Sequence, residues 1–223
     1  DLNNILRSFS MIDGTELWKF KTENNFLKSD KRNSIIIIEK IVYFNNSLGD
    51  ISAVDVSDGS LVWQTPTQTS SIYESSFSLI SSDLVSNRKN LFFSNNRNEF
   101  YSLNLETGFI NWKKNINSSV RPVLINELIF TISNEGYLFV IESETGKILR
   151  ITDIFDLFKS KKRSKIKPIG FIMGVNKIYL TTNHGRLLTI DILSGKTMSV
   201  LKIDNNKISR PFVSNKKLFV VQD

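Results

Sequence analysis

Apolar residues along this chain fall in short runs of strand length, each closed off by a polar turn. Ile35 to Ile38, Ile41 to Phe44, Leu91 to Phe93, Leu128 to Ile132 and Tyr137 to Ile141 are examples. The runs are more continuous than alternating, as expected of strands covered on both faces. The spacing of three and four that marks amphipathic helices is not found. No run approaches the roughly 20 residues that cross a bilayer as a helix.

The turns repeat. Ile12-Asp13-Gly14, Ser57-Asp58-Gly59, Glu106-Thr107-Gly108, Glu144-Thr145-Gly146 and Leu193-Ser194-Gly195 recur at intervals of 38 to 49 residues. That is the period of a four-stranded propeller blade. A second family of turns sits at Gly49, Asn98, Gly136 and Gly185. Asn98 fits among them because Asn tolerates positive φ. One unit, read in full, predicts strands over Val123 to Ile125, Leu128 to Ile132, Tyr137 to Ile141 and Lys147 to Ile151. The pattern predicts an all-β fold, a β-propeller of four-stranded blades. About five blade units make one domain over residues 1–223.

Composition adds limits. With 223 residues, 40% of them hydrophobic, the chain can bury a substantial core. It has no Cys, which excludes disulfides, thiolate metal sites and Cys nucleophiles. The net charge of +7 favours acidic partners or anionic surfaces. The start, Asp1-Leu2-Asn3-Asn4, has neither Met nor a basic-then-apolar leader, so the sequence reads as an excised segment.

The units Ala53 to Gln64 ("AVDVSDGSLVWQ") and Ser102 to Lys113 ("SLNLETGFINWK") resemble the repeats of the quinoprotein-like, pyrroloquinoline-quinone-type propeller family. That family places an acid six residues after the first turn glycine and a Trp four residues after the second. Asp55, Glu142 and Asp191 match the acid, and Asn104 departs; Trp18, Trp63 and Trp112 match the Trp, and Arg150 and Ser199 depart. Within the family the weak repeats are most similar to those of the outer-membrane assembly lipoproteins. The resemblance implies a non-catalytic, cofactor-free scaffold that binds proteins of an outer-membrane assembly complex. It further implies a periplasmic location, anchored at the outer membrane in the full-length protein. A fragment of a quinone-dependent dehydrogenase and a propeller sensor domain are the competing readings. The dehydrogenases pair their quinone with adjacent cysteines and calcium, and no Cys is present here. Ile5 to Ser10 reads as a third strand, and Pro211 to Val213 with Leu218 to Val221 as a first and second. The units therefore either close as five blades or, as family ring sizes favour, form part of a seven- or eight-bladed ring.

Candidate chemistry is sparse. The repeat-locked Trp18, Trp63 and Trp112 are expected to dock each blade on the next and not to stack a ligand. The acids sit at equivalent points of different blades, too dispersed for shared acid–base work. Each is expected to bond to its own turn. His184, the single His, lies in a turn, and no second His offers a zinc site. No catalytic, cofactor-binding or metal-binding residue is assigned. The strongest local anomaly is the stretch from Lys159 to Lys167, where Lys159, Lys161, Lys162, Arg163, Lys165 and Lys167 crowd a blade-to-blade connection. With a second long connection, Thr65 to Asn87, it is expected on one face of the disc. Loops on a rigid scaffold carry binding, so these six side chains are the candidate protein-binding residues. Nucleic acid is not expected, because the basic stretch has no interleaved aromatics.

Overall fold

The structure is a computed structural model and describes residues 4–22, 33–47, 49–67 and 80–222. Four sheets are complete four-stranded antiparallel blades. The first holds β3 (Ile35–Ile38), β4 (Ile41–Asn45), β5 (Ile51–Asp55) and β6 (Leu61–Thr65). The second holds β7 (Val85–Ser86), β8 (Asn90–Asn95), β9 (Glu99–Asn104) and β10 (Ile110–Lys114). The third holds β11 (Val123–Ile125), β12 (Leu128–Ile132), β13 (Tyr137–Glu142) and β14 (Ile148–Asp153). The fourth holds β15 (Pro168–Met173), β16 (Lys177–Thr182), β17 (Arg186–Asp191) and β18 (Thr197–Lys202). Before them comes the pair β1 (Ile5–Phe9) and β2 (Glu16–Lys21), and after them β19 (Phe212–Ser214) and β20 (Lys217–Phe219). Among the described residues the two end pairs form separate two-stranded sheets.

Burial follows position within a blade. Every residue of β8 is buried, as are most of β4, β5 and β9. These middle strands have a neighbouring blade on each face. The longest isoleucine run behaves differently: in β3, Ile35 and Ile37 are exposed while Ile36 and Ile38 pack against the core. It is an innermost strand, covered on one side only. The apolar cores lie between consecutive blades. One joins Tyr43 and Ala53 to Leu91 and Tyr101, the next Phe92 and Phe100 to Ile129 and Ile141, the third Leu138 and Val140 to Leu180 and Leu188.

The eight glycines assigned to turns all have positive φ, and Asn98 sits at +65°. Just past each turn of the first family, the register slips by one residue between the third and fourth strands. The extra residue falls on the outer strand at Leu17, Val62, Asn111, Leu149 and Met198. A bulge bends its strand and re-aims the next side chain. The next side chains are Trp18, Trp63, Trp112, Arg150 and Ser199.

The re-aimed indoles reach the following sheet. Trp18 Nε1 donates to the Val56 carbonyl at 2.8 Å, Trp63 Nε1 to Leu105 at 3.1 Å and Trp112 Nε1 to Ser143 at 3.0 Å. Gly108 illustrates the fit: its φ is +74°, and an added Cβ would lie 2.6 Å from the Trp63 ring. Glycine there satisfies both the left-handed backbone and the approach of the indole. Arg150, where the repeat loses its Trp, sends its guanidinium to the carbonyls of Ile192, at 2.7 Å, and Leu193.

Candidate binding site

The connection from β14 to β15 is held down at both ends. Ile154 N donates to the Gly136 carbonyl at 2.9 Å, and Phe155 N to Asp153 Oδ1 at 2.9 Å. The Phe155 ring is fully buried in the space that a side chain at position 136 would occupy, 2.0 Å from an ideal Cβ there. Phe158 meets Phe155 edge-on, with centroids 5.7 Å apart. The chain then makes one helical turn, α1 (Ser160–Arg163), where the sequence suggested only a loop. Ile166 folds back underneath and is buried. Across from it, Asn183 in the β16–β17 turn donates to the Lys165 carbonyl at 3.0 Å and accepts from Lys167 N at 2.8 Å.

These elements border a half-open cavity of about 520 Å³. Its apolar lining is Leu157, Phe158 and Ile166, and its rim carries Lys159, Lys161, Lys162 and Lys165. His184 and Arg186 complete the wall from the adjacent turn and strand. The blade-to-blade connection and the second-to-third-strand turn therefore meet on one face, as alternating strand direction requires. Four of the six candidate lysines and arginines are brought together. Arg163 is turned aside: its guanidinium pairs with the Asp153 carboxylate, which raises its pKa further. Lys167 does not line the cavity. His184, Arg186 and the apolar lining were not legible as site residues, since nothing local links positions 157 and 186. Of the other long connection, residues 68–79 lie outside the described residues.

The repeat acids are occupied by their own turns. Asp55 Oδ1 accepts from Ser57 N at 2.7 Å, and Asp191 Oδ1 from Ser194 N at 2.8 Å. The side-chain and backbone bonds from Ser57 hold the Asp55 carboxyl below its ordinary pKa; the backbone and side-chain bonds from Ser194 do the same for Asp191. Glu142 accepts from the Thr145 hydroxyl, and Asn104 Oδ1 takes Thr107 N at 2.9 Å.

A second, larger cavity of about 990 Å³ lies among the innermost strands. The innermost strands β3, β7, β11, β15 and β19 all contribute to its wall. Arg210, beside β19, reaches Asp83, beside β7, at 3.2 Å.

The family described as "Outer membrane protein assembly factor BamB" matches residues 1–152, more than half of the chain. The chain belongs to that family. A BamB of Legionella pneumophila (strain Paris) is 24% identical over 160 residues, covering 70% of this chain and 36% of its own length. An uncharacterised protein of Rickettsia conorii is 24% identical over 182 residues, 78% of this chain and 42% of that one. The chain thus spans about two fifths of the length of these curated relatives. Among solved structures, BamB from Moraxella catarrhalis superposes with a TM-score of 0.61 at 13% identity, over 98% of this chain and 76% of that one. The computationally designed Ika8 protein gives 0.73 at 10% identity, over 98% and 62%. The β-propeller domain of Myceliophteria thermophila Cps50 (Swd1) gives 0.64 at 12%, over 84% and 60%. At such identities these likenesses establish the propeller fold and leave function to the site.

Proposed function

We propose that this BamB-family chain is part of a non-catalytic protein-binding scaffold in the periplasm, serving the outer-membrane β-barrel assembly machinery. In this reading the full-length protein is anchored at the outer membrane, and residues 1–223 are a single propeller domain belonging to a larger ring. The observation that carries the binding role is the cavity where four lysines and Arg186 converge over an apolar floor. Such a surface suits an acidic protein segment. Family membership supports the assembly role, and the engagement of Asp55 and Asp191 in their own turns supports the absence of acid–base chemistry.

The test is capture from envelope extract, identification of the bound protein, and association kinetics on a variant carrying Lys161→Glu, Lys162→Glu and Lys165→Glu. Arg163 is left intact because Asp153 already neutralises it. Rim charge acts on association rate more than on affinity, so the variant should bind more slowly. The difference should shrink at about 1 M salt, where the Debye length is near 3 Å. An unchanged rate would remove this face from the interface. Mixed with pyrroloquinoline quinone and calcium, the purified chain should show neither quinone absorbance nor dye-linked alcohol oxidation. Turnover would overturn the scaffold reading.

A further inference from the structure

We infer that the cavity under α1 is a peptide-recognition pocket for one bulky apolar side chain flanked by carboxylates; the inference rests on the scaffold reading and names the chemistry of its partner. Three features carry it. First, the cavity is amphipathic in depth. Phe158 is partly buried and Ile166 buried at its floor, while Lys159, Lys161, Lys162 and Lys165 stand exposed around the mouth. At about 520 Å³ it lies within the size range of small-ligand pockets, ample for one aromatic or branched side chain with its backbone.

Second, the charge is one-sided. Among the described residues the lining has no carboxylate, and the four lysines and Arg186 are in no ion pair. Like charges held over a low-dielectric floor repel one another and focus the field on the mouth. An anionic ligand relieves that repulsion. Third, the walls are set before any ligand arrives. Gly136 admits Phe155, Phe155 braces Phe158, Asp153 fixes Arg163, and Asn183 ties the loop to the adjacent turn. Ordering costs at binding are correspondingly small.

The depth of the apolar floor favours a peptide over a membrane. Lipid-binding surfaces project apolar side chains outward into the bilayer, with basic residues beside them. Here the apolar groups other than Leu157 are sunk below the lysines.

The experiment is fluorescence anisotropy on the purified 223-residue chain with a labelled peptide holding one Phe between two pairs of Glu. Binding should weaken at least about tenfold when the peptide Phe is replaced by Ala. It should weaken as much with Lys161→Glu and Lys162→Glu, whose folding is checked by circular dichroism. Equal affinity for the Phe and Ala peptides would overturn the pocket, leaving only a charged surface. So would equal affinity of the native and reversed chains. Vesicles containing phosphatidylglycerol form the counter-arm: sedimentation with them, lost in the reversed variant, together with no peptide binding, would replace the peptide with a membrane. Failure of the peptide while the envelope partner is still captured in a rim-dependent way sinks this inference alone. Peptide binding with no outer-membrane assembly component in the captured fraction keeps the pocket and sinks the assembly role.

Discussion

Two joints between blades solve one problem with different chemistry. Between the second and third blades, Trp112 is only 8% exposed, packs beside Phe92 and Phe100 at 5.9 Å, and donates its indole N–H to Ser143. Between the third and fourth blades, Arg150 stands at the same repeat position and bonds to two carbonyls of the next turn. Its Nε is buried without a hydrogen-bond partner among the described residues. The shared requirement is a planar donor, re-aimed by the bulge before it, that reaches the carbonyls of the next blade's turn. Apolar filling is a separate contribution that the indole makes and the guanidinium does not. A sequence pattern that demands Trp therefore scores Arg150 as a departure when its geometry keeps the contact.

The largest expected effect lies at the aromatic joint. Trp112→Ala should cost about 3 to 5 kcal/mol, because it removes both a buried aromatic and a bond across the joint. Denaturant melts measure it. A loss under about 1 kcal/mol would mean that the indole contributes little packing and that the two joints are alike. Arg150→Ala should cost less, about 1 to 2 kcal/mol, since it forfeits charge-assisted bonds but little apolar burial and relieves an unsatisfied Nε. If it equals Trp112→Ala in the same melts, the donor and not the filling holds the blades.

The smallest effect separates blades by their turns. Asp55 and Asp191 have folded pKa values below the ordinary 3.8, so their bonds favour the fold above that value. That stability is lost as pH falls through the lower folded values, which places the loss below about pH 4. Asn104 makes equivalent bonds without titrating. The double variant Asp55→Asn, Asp191→Asn should therefore show a shallower fall of Tm between pH 5 and pH 2.5. Identical acid limbs in the two proteins would assign the acid sensitivity to other carboxylates.

Much of the fold was legible because the repeat exposes it. Turn glycines demand positive φ, and a four-stranded period repeated along the chain admits few architectures. Less of the site was legible. The basic stretch stood out by charge, yet Arg163 is drawn away by Asp153, ten residues earlier in the chain. His184 read as an ordinary turn residue, and nothing in the sequence singled out Arg186. Both line the cavity only because the turn after β16 sits over the connection from β14.

The one-residue bulges were also invisible, since a strand with an extra residue has the same composition as one without. They decide that Trp18, Trp63, Trp112 and Arg150 point across to the next blade, while the exposed Leu17, Val62 and Leu149 do not.

By itself the sequence determined what local physics can enforce: the strand runs, the turns, the period and the charge of one connection. Backbone sterics and short-range patterning act over a few residues, so they are written in order along the chain. Tertiary structure decided which side chains share a space. It placed Phe155 against Gly136, turned Arg163 to Asp153, and set Lys161 and Arg186 around one cavity. Those neighbours are chosen by how the blades stack and where the bulges fall, and no single stretch of sequence holds that information.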